Sequence, residues 1–505
     1  MIDFTPLAKK RFLSRLYDQL RYANYADAVQ QGELVKLIER ASLTEFGRKY
    51  HFSNMRTYRE FASTVPLYRY EDLRPQIMRM VSGEANVLWR GKCFNFAQSS
   101  GTTDGKSKYI PITADSLKTN HYQGASDVVS HYLNLNPTSR IFSGKGFILG
   151  GSFANQLQLK PGTRVGDLSA TLIQNINPLV NMIRVPKKQT ALLSDFMTKR
   201  DLIAREAINK NVSNISGVPS WMLSVLDRVL EISGKSHINE VWPNLEVFFH
   251  GGVAFTPYRE RYKQIITSSK MHYMETYNAS EGFFGLQDDP SDPAMLLMID
   301  YDVFYEFIPL EEVGNPEAKA VALWDVETGK NYAIVISTSC GLWRYQIGDT
   351  VKFTSKNPYK FIISGRTKSF INAFGEELMV DNAEKGLAEA CRETGAQVAE
   401  YTAAPVFMDI HGKCRHQWVI EFVKRPENMD VFAEKLDKAL QRINSDYEAK
   451  RSNNVTLQQL EITEAKPGLF NEWLASKGKL GGQHKVPRLS NTRKIIDEIL
   501  SLNSK

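Results

Sequence analysis

The chain has 505 residues, of which 42% are apolar, 11% aromatic and 24% charged. At about 150 residues per domain this length gives roughly three domains or two large ones, and the mixture excludes a disordered, collagenous or coiled-coil chain. Lysine and arginine number 63 against 56 acids, a net charge of +7 that suits anionic substrates such as nucleotides and carboxylates without demanding nucleic acid or a membrane.

Residues 1–45 have a helical pattern. In MIDFTPLAKKRFLSRLYDQL the apolar positions Phe12, Leu16 and Leu20 recur at helical spacing with basic residues between them, which predicts a helix packed on the body, with a membrane-surface helix as the alternative, rather than a secretory leader. No apolar run approaches the roughly 20 residues of a membrane span, so a soluble, cytoplasmic protein is expected. Helical patches continue through 55–90. A short strand-like segment, CFNFAQ, then precedes a loop rich in serine, threonine and glycine.

That loop, QSSGTTDGKSKYIP (98–111), is the most informative stretch. Ten positions from Ser99 to Lys108 hold five hydroxyl side chains (Ser99, Ser100, Thr102, Thr103, Ser107), two glycines and two lysines (Lys106, Lys108). Hydroxyls and free backbone N–H groups donate to phosphate oxygens, glycine admits a close approach, and lysine supplies charge. The stretch is either a phosphate cradle or a polar surface loop, and the hydroxyl density, lysine placement and preceding strand favour the cradle. A P-loop requires GxxxxGK[ST] opening a helix. Residues 100–107 read SGTTDGKS, with Ser100 where the first glycine belongs, and Pro111 with its β-branched neighbours predicts a strand instead.

Between 113 and 240 helix patterns, clearest in SWMLSVLDRVLEI, mix with the glycine-rich GKGFILGGSF. From 245 to 365 short apolar runs alternate with turns (LEVFFHGG, HYMETYNASEGFFGL, AMLLMIDYDVFYEFIPL, KAVALWDV, KNYAIVIST, YKFIISG), the texture of sheet-rich α/β structure. From 366 the order becomes helix (DNAEKGLAEACRETG), hairpin (PVFMDI to WVIEFV), helix (MDVFAEKLDKALQRINSDYEA) and strand (NVTLQQLEI), a compact α+β unit of about 140 residues. The predicted domains are 1–365 and 366–505, with a short hinge near Gly365–Ser369. Cys93, Cys340, Cys391 and Cys414 make no framework and are expected to be free thiols in a reducing compartment. His411, Cys414 and His416 have superficial metal spacing, but HGKCRH is expected to be the polar connection of the hairpin.

SSGTTDGKSKYIP resembles the phosphate-loop signature of adenylate-forming enzymes, the acyl-CoA synthetase and luciferase superfamily, and most of all its version in the Gretchen Hagen family of auxin-responsive acyl acid amido synthetases. Three further blocks are similar to that family's signatures in the same order: YNASEGFFGL (277–286), RYQIGDTVKFT (344–354) and GQHKVPR (482–488). TEFGRKYHF, GVPSWM, HGGVAFTPY and FYEFIP are weaker likenesses. The resemblance implies an α/β fold, with a large N-terminal luciferase-like domain of sheets flanked by helices and a smaller mobile α+β C-terminal cap. It also implies an ATP- and Mg²⁺-dependent ligase that activates a carboxylic acid as acyl-adenylate and passes the acyl group to an amine, usually an amino acid. An acyl-CoA ligase using the same adenylation step and a non-catalytic nucleotide or small-acid binding protein are the alternatives.

Under this resemblance Ser99, Ser100, Thr102 and Thr103 cradle the triphosphate beside Lys108, a candidate catalytic cation. Tyr277 lies against adenine, or is an ordinary sheet tyrosine. Gly251 and Gly252 turn the backbone to admit the base. Glu281 ligates Mg²⁺, which takes oxygen ligands and keeps one or two protein carboxylates plus phosphates. Asp349 accepts from the ribose hydroxyls, and Arg366 reaches the nucleotide or merely ends its strand. Lys485 is the mobile catalytic lysine, a cation brought against developing charge. Glu306 is either on the wet face of its strand or aimed into a site, and Arg344 is either an ion-pair partner or a core-edge residue. The segment DSLKTNHYQGASDVVSHYL lacks the arginine with which plant members bind the acyl carboxylate. His121 and His131 are either its substitutes or helix-surface histidines, so the acid is not carried over.

Overall fold

A computed structural model describes residues 3–99, 108–153, 157, 159–252, 255, 258–315, 317–367, 370–371, 378–406, 415–444, 447–448, 451, 457–478, 485–490 and 492–504. The chain divides into two compact units. The first takes most of the chain up to Ile347 together with Lys352–Ile362, and the second takes Gly348–Val351 and Ile363–Lys505.

The first unit opens with helices Thr5–Gln19, Arg21–Asn24 and Ala26–Ala41. The Thr5–Gln19 helix is docked by charge. Arg15 donates to Asp127 (3.0 Å) and to both oxygens of Asp300 (3.0 and 2.7 Å), and Phe12 stacks on Phe142 at 5.6 Å. Leu20 departs from the expected stripe: it lies just past the helix and is 67% exposed.

A mixed sheet of twelve strands dominates this unit, and five of the strands form a parallel run: Arg184–Val185, Lys145–Ile148, Val212–Gly217, Val247–Gly251 and His272–Ala279. Helices Phe196–Ala207, Pro219–Ser233 and Arg259–Ile265 lie between strands of this run in the chain, as parallel pairing requires crossovers. The proline that starts Pro219–Ser233 suits a first helical turn, where its missing N–H has no partner to lose. Ile215, Phe248, Met222, Leu226, Trp242 and Tyr262 bury the interface between these helices and the sheet. After Ala279 the sheet turns antiparallel through Gly282–Leu286 and Met295–Leu297, and Val303–Pro309 pairs with Asn331–Thr338 over its whole length.

A separate three-stranded sheet carries the loop region. Asn95–Ser99 pairs antiparallel with Lys108–Ile112 and parallel with Arg164–Gly166. The strand predicted after the loop is present at Lys108–Ile112, and among the described residues that directly follow the loop there is no helix of the kind a P-loop needs.

In the second unit, helices Val380–Thr394 and Met429–Ile443 lie with the sheet Gln397–Val406, Arg415–Lys424 and Glu461–Glu464 around one core that includes Leu387, Tyr401, Trp418, Phe432, Leu436 and Leu489. The predicted hairpin is there, with Val406 opposite Arg415. His416 is not part of a polar connection. It sits in a strand and is fully buried, because the alternation of that strand points it inward with Trp418. His411 and Cys414 lie outside the described residues. Of the last expected strand, 454–456 lie outside the described residues, and the strand present there runs Glu461–Glu464. Cys93, Cys340 and Cys391 are free thiols, and burial pushes all three up to about 12. Among the described residues no helix is long and apolar enough to cross a membrane.

Candidate active site

The hydroxyl-rich loop joins two strands in register, with Ser99 directly opposite Lys108. Both ends of the loop are therefore fixed at one hydrogen-bonded pair, and residues entering and leaving it start a strand spacing apart. Ser100, Thr102 and Thr103 lie outside the described residues. Lys108 is half-buried with its ammonium over the Tyr70 ring at 5.6 Å, and the Tyr70 hydroxyl accepts from the Tyr109 N–H at 2.7 Å. Tyr70 thus holds the outgoing strand, a role that no local pattern around it signals.

One residue past that strand, Thr113 caps the next helix by accepting from Ser116 N–H at 3.0 Å and donates its own proton to the Ser339 carbonyl at 2.8 Å. The neighbouring Cys340 sulfur lies 3.9 Å from the Glu281 carbonyl. Glu281 occupies the turn between His272–Ala279 and Gly282–Leu286, where a glutamate is ordinarily exposed, yet it is only 8% exposed. Through Ser339 and Cys340 the hydroxyl-rich hairpin and the acidic turn share one support. As an oxygen donor in a sheltered turn, Glu281 fits Mg²⁺ as a single protein carboxylate completed by phosphate oxygens. Among the described residues no group of three or more histidine, cysteine or acidic side chains is gathered for a metal.

The adenine-side candidates lie on the paired strands Val247–Gly251 and His272–Ala279, where Gly251 opposes Thr276. A Cβ at Gly251 would stand 2.3 Å from the Thr276 carbonyl oxygen, and Gly252 has φ +82°, so this turn needs glycine at both positions. His250 just before them is buried against Phe255 at 4.2 Å, and burial holds its imidazole down at about 3. Tyr277 is 6% exposed, its ring set edge to face against Phe284 (5.1 Å) and Phe361 (6.0 Å).

Asp349 and Arg366 both belong to the second unit. Thr367 N–H donates to the Gly348 carbonyl at 2.9 Å, and Ser364 Oγ donates to Thr350 Oγ1 at 3.1 Å. The chain following Arg366 is thereby tied to the residue preceding Asp349, which is 7% exposed. Lys485 is exposed, one residue before the buried Val486.

Neither histidine after the loop is a surface histidine of the kind the sequence allowed. His121 is 2% exposed in a π-helical turn, its Nδ1 3.3 Å from Asn278 Oδ1, and burial holds it at about 4. His131 bonds Gln19 Oε1 at 2.7 Å and is likewise held at about 4 by burial. In both, burial disfavours the charged form of the ring. Glu306 is not on a wet face: it is fully buried and paired with Arg344. Arg488, the last residue of the GQHKVPR block, pairs with Glu400 and lies over the Tyr401 ring on the strand Gln397–Val406.

The fold is shared with solved structures of an acyl acid amido synthetase and of a CoA ligase. The solved structure "AtGH3.15 acyl acid amido synthetase in complex with 2,4-DB" superposes with a TM-score of 0.79 at 19% identity, covering 99% of this chain and 97% of that one. A 2-hydroxyisobutyryl-CoA ligase in its postadenylation state with 2-HIB-AMP follows at 0.62 and 12% identity, covering 94% and 92%. The chain belongs to the GH3 family: the family's N-terminal domain matches residues 15–271, its central domain 296–366 and its C-terminal domain 381–494. Similar relatives include indole-3-acetic acid-amido synthetase GH3.3 of Arabidopsis thaliana, 24% identical over 93% of this chain and 90% of its own length. Jasmonoyl–L-amino acid synthetase GH3.5 of Oryza sativa subsp. japonica is 24% identical over 95% of both chains.

Proposed function

We propose that this protein is an ATP-dependent acyl acid amido synthetase. In the first half-reaction a carboxylate oxygen attacks the α-phosphorus of ATP, the bond to the β-phosphate breaks, and pyrophosphate leaves an acyl-adenylate. In the second, an amine, on this reading from an amino acid, attacks the acyl carbon. AMP leaves and the amine gives up its proton.

Ser99, Ser100, Thr102 and Thr103 hold the triphosphate, with Lys108 as the adjacent cation. Gly251 and Gly252 admit adenine beside Tyr277, Asp349 accepts from the ribose hydroxyls, and Arg366 adds charge near the nucleotide. Mg²⁺ on Glu281 would neutralise phosphate charge. Lys485 stabilises the charge that develops as the carboxylate attacks, a contribution typically worth about 10²–10³ in rate. Residues 1–365 and 366–505 act as body and mobile cap, so the lysine can withdraw after adenylation and make room for the amine. The reaction takes place in the cytoplasm and involves neither membrane nor nucleic acid.

The observation that supports this reading best is the match of all three GH3 family domains, in order, along the chain. Purified protein incubated with ATP, Mg²⁺, a panel of aromatic and aliphatic acids and an amino-acid mixture should form an amide with release of AMP and pyrophosphate. ADP and phosphate as products would reject adenylation. A thioester formed with coenzyme A, with no amide, would move the protein to the acyl-CoA ligases.

A further inference from the structure

Lys485 stands at the start of a segment that the second unit grips closely. Val486 is 3% exposed in a core with Ala404, Val419, Phe470 and Trp473. The Pro487 carbonyl accepts from Thr402 Oγ1 at 2.6 Å, and the Arg488 carbonyl accepts from Ala403 N–H at 2.8 Å. Ser490 N–H donates to the Ala403 carbonyl at 3.1 Å, and Leu489 is fully buried opposite Ala403 in a parallel bridge. The segment therefore lies as a short extra strand along the edge of Gln397–Val406.

Backbone bonds alone leave such an edge segment free to fray. The Arg488 side chain adds a second attachment. Its guanidinium lies over the Tyr401 ring at 4.7 Å, forms an ion pair with Glu400, and has Nε 3.6 Å from Glu384 Oε1. Its three partners are themselves fixed. Tyr401 is 1% exposed, stacks on Trp418 at 5.4 Å and donates its hydroxyl to Glu384 Oε1 at 2.9 Å. Glu384 sits on the Val380–Thr394 helix, and Glu400 Oε1 also accepts from Tyr401 N–H at 3.0 Å. A planar, multi-donor cation stacked on an aromatic and paired to two carboxylates fixes orientation as well as distance, which an ammonium cannot do.

We propose that Arg488 is a positioning residue for Lys485, clamping the 485–490 segment to the Glu384–Glu400–Tyr401 platform so that the lysine is presented in one geometry. This rests on the reading of Lys485 as the adenylation lysine. A displacement of about 1 Å in a reacting group typically costs about 10²-fold in rate.

The test separates the half-reactions in the full-length protein. Adenylation is followed by ATP–pyrophosphate exchange, and transfer by amide formation from a chemically synthesised acyl-adenylate. Arg488→Ala should slow exchange by about 10²-fold with little change in the KM for ATP or in transfer, and Arg488→Lys should recover only part of the loss. If Lys485→Ala abolishes exchange while Arg488→Ala exchanges normally, this inference falls and the functional reading stands. If Lys485→Ala exchanges normally, the functional reading falls first. An equal loss in both half-reactions, with a lowered melting temperature, would make Arg488 merely structural and overturn the proposal. Should Arg488→Ala not fold, Glu400→Gln makes the same measurement by removing the ion pair alone, and normal exchange in it overturns the proposal.

Discussion

Arg344 holds Glu306 from both sides of its carboxylate: Nε donates to the two oxygens at 3.1 and 2.9 Å and Nη2 donates at 2.7 Å. The remaining Nη1 donates to the carbonyls of Ala62 and Val65 at 2.9 and 2.6 Å, and the Tyr58 hydroxyl donates to the same carboxylate at 3.1 Å. Each charge is buried, so each depends on the other.

Removing one partner should therefore cost more than removing both. Glu306→Gln leaves the guanidinium buried beside an amide and is expected to destabilise the fold by about 3–5 kcal/mol. A double replacement by apolar residues of similar volume should cost less than either single change. Urea unfolding of the three variants checks this, and a double variant weaker than both singles would refute mutual dependence.

Lys485→Ala should leave ATP binding nearly unchanged and reduce pyrophosphate release by about 10²–10³-fold. Calorimetric titration with ATP and Mg²⁺, paired with single-turnover adenylation, tests both halves of the statement. Adenylation at the wild-type rate would remove the lysine from the mechanism.

Gly251→Ala places a methyl group 2.3 Å from a backbone carbonyl of the adjacent strand, which has no flexible end to give way. The expected outcome is a loss of about 1–3 kcal/mol in stability and weaker ATP binding, because the same turn borders the proposed base site. Melting temperature and nucleotide affinity are the readouts. If neither moves, the close approach of these strands does not matter to the site.

His121 and His250 are buried as neutral imidazoles, held by desolvation at about 4 and about 3. In the unfolded chain a histidine takes up its proton near pH 6.5. From about pH 6.5 down to about 4 the unfolded state therefore binds more protons, so stability is full above that range and is lost as the pH falls through it. Each histidine should contribute of the order of 1–3 kcal/mol to the loss. The difference in urea stability between pH 7 and 4.5 should shrink in His121→Asn, and an unchanged difference would mean that the ring is already protonated or already wet.

The sequence disclosed what depends on neighbours along the chain. The strand Lys108–Ile112 was legible from Pro111 and its β-branched surroundings, and the Pro219–Ser233 helix from its apolar period. Pairings across the fold were not legible. Glu306 alone reads as an acid in an apolar strand, and nothing local names Arg344 as its partner, 38 residues away. Leu20 fits a helical stripe by count, but the stripe ends where the helix ends. His416 looked like hairpin polarity because composition does not register which face of a strand a residue occupies. The site divides in the same way: its motifs were visible, whereas the supports behind them (Tyr70, Thr113, Arg488) act through space.

The bridge from Leu489 to Ala403 also has a meaning for biosynthesis. Until residues 486–490 have been made, Gln397–Val406 is the bare border of its sheet, with open N–H and C=O groups and the aromatic Tyr401 beside them. Such a border is a template for pairing with another chain. A polypeptide stopped short of residue 485 would lose its lysine and also its stopper against self-association, so nonsense products of this kind should be recovered as aggregates rather than as inactive soluble protein.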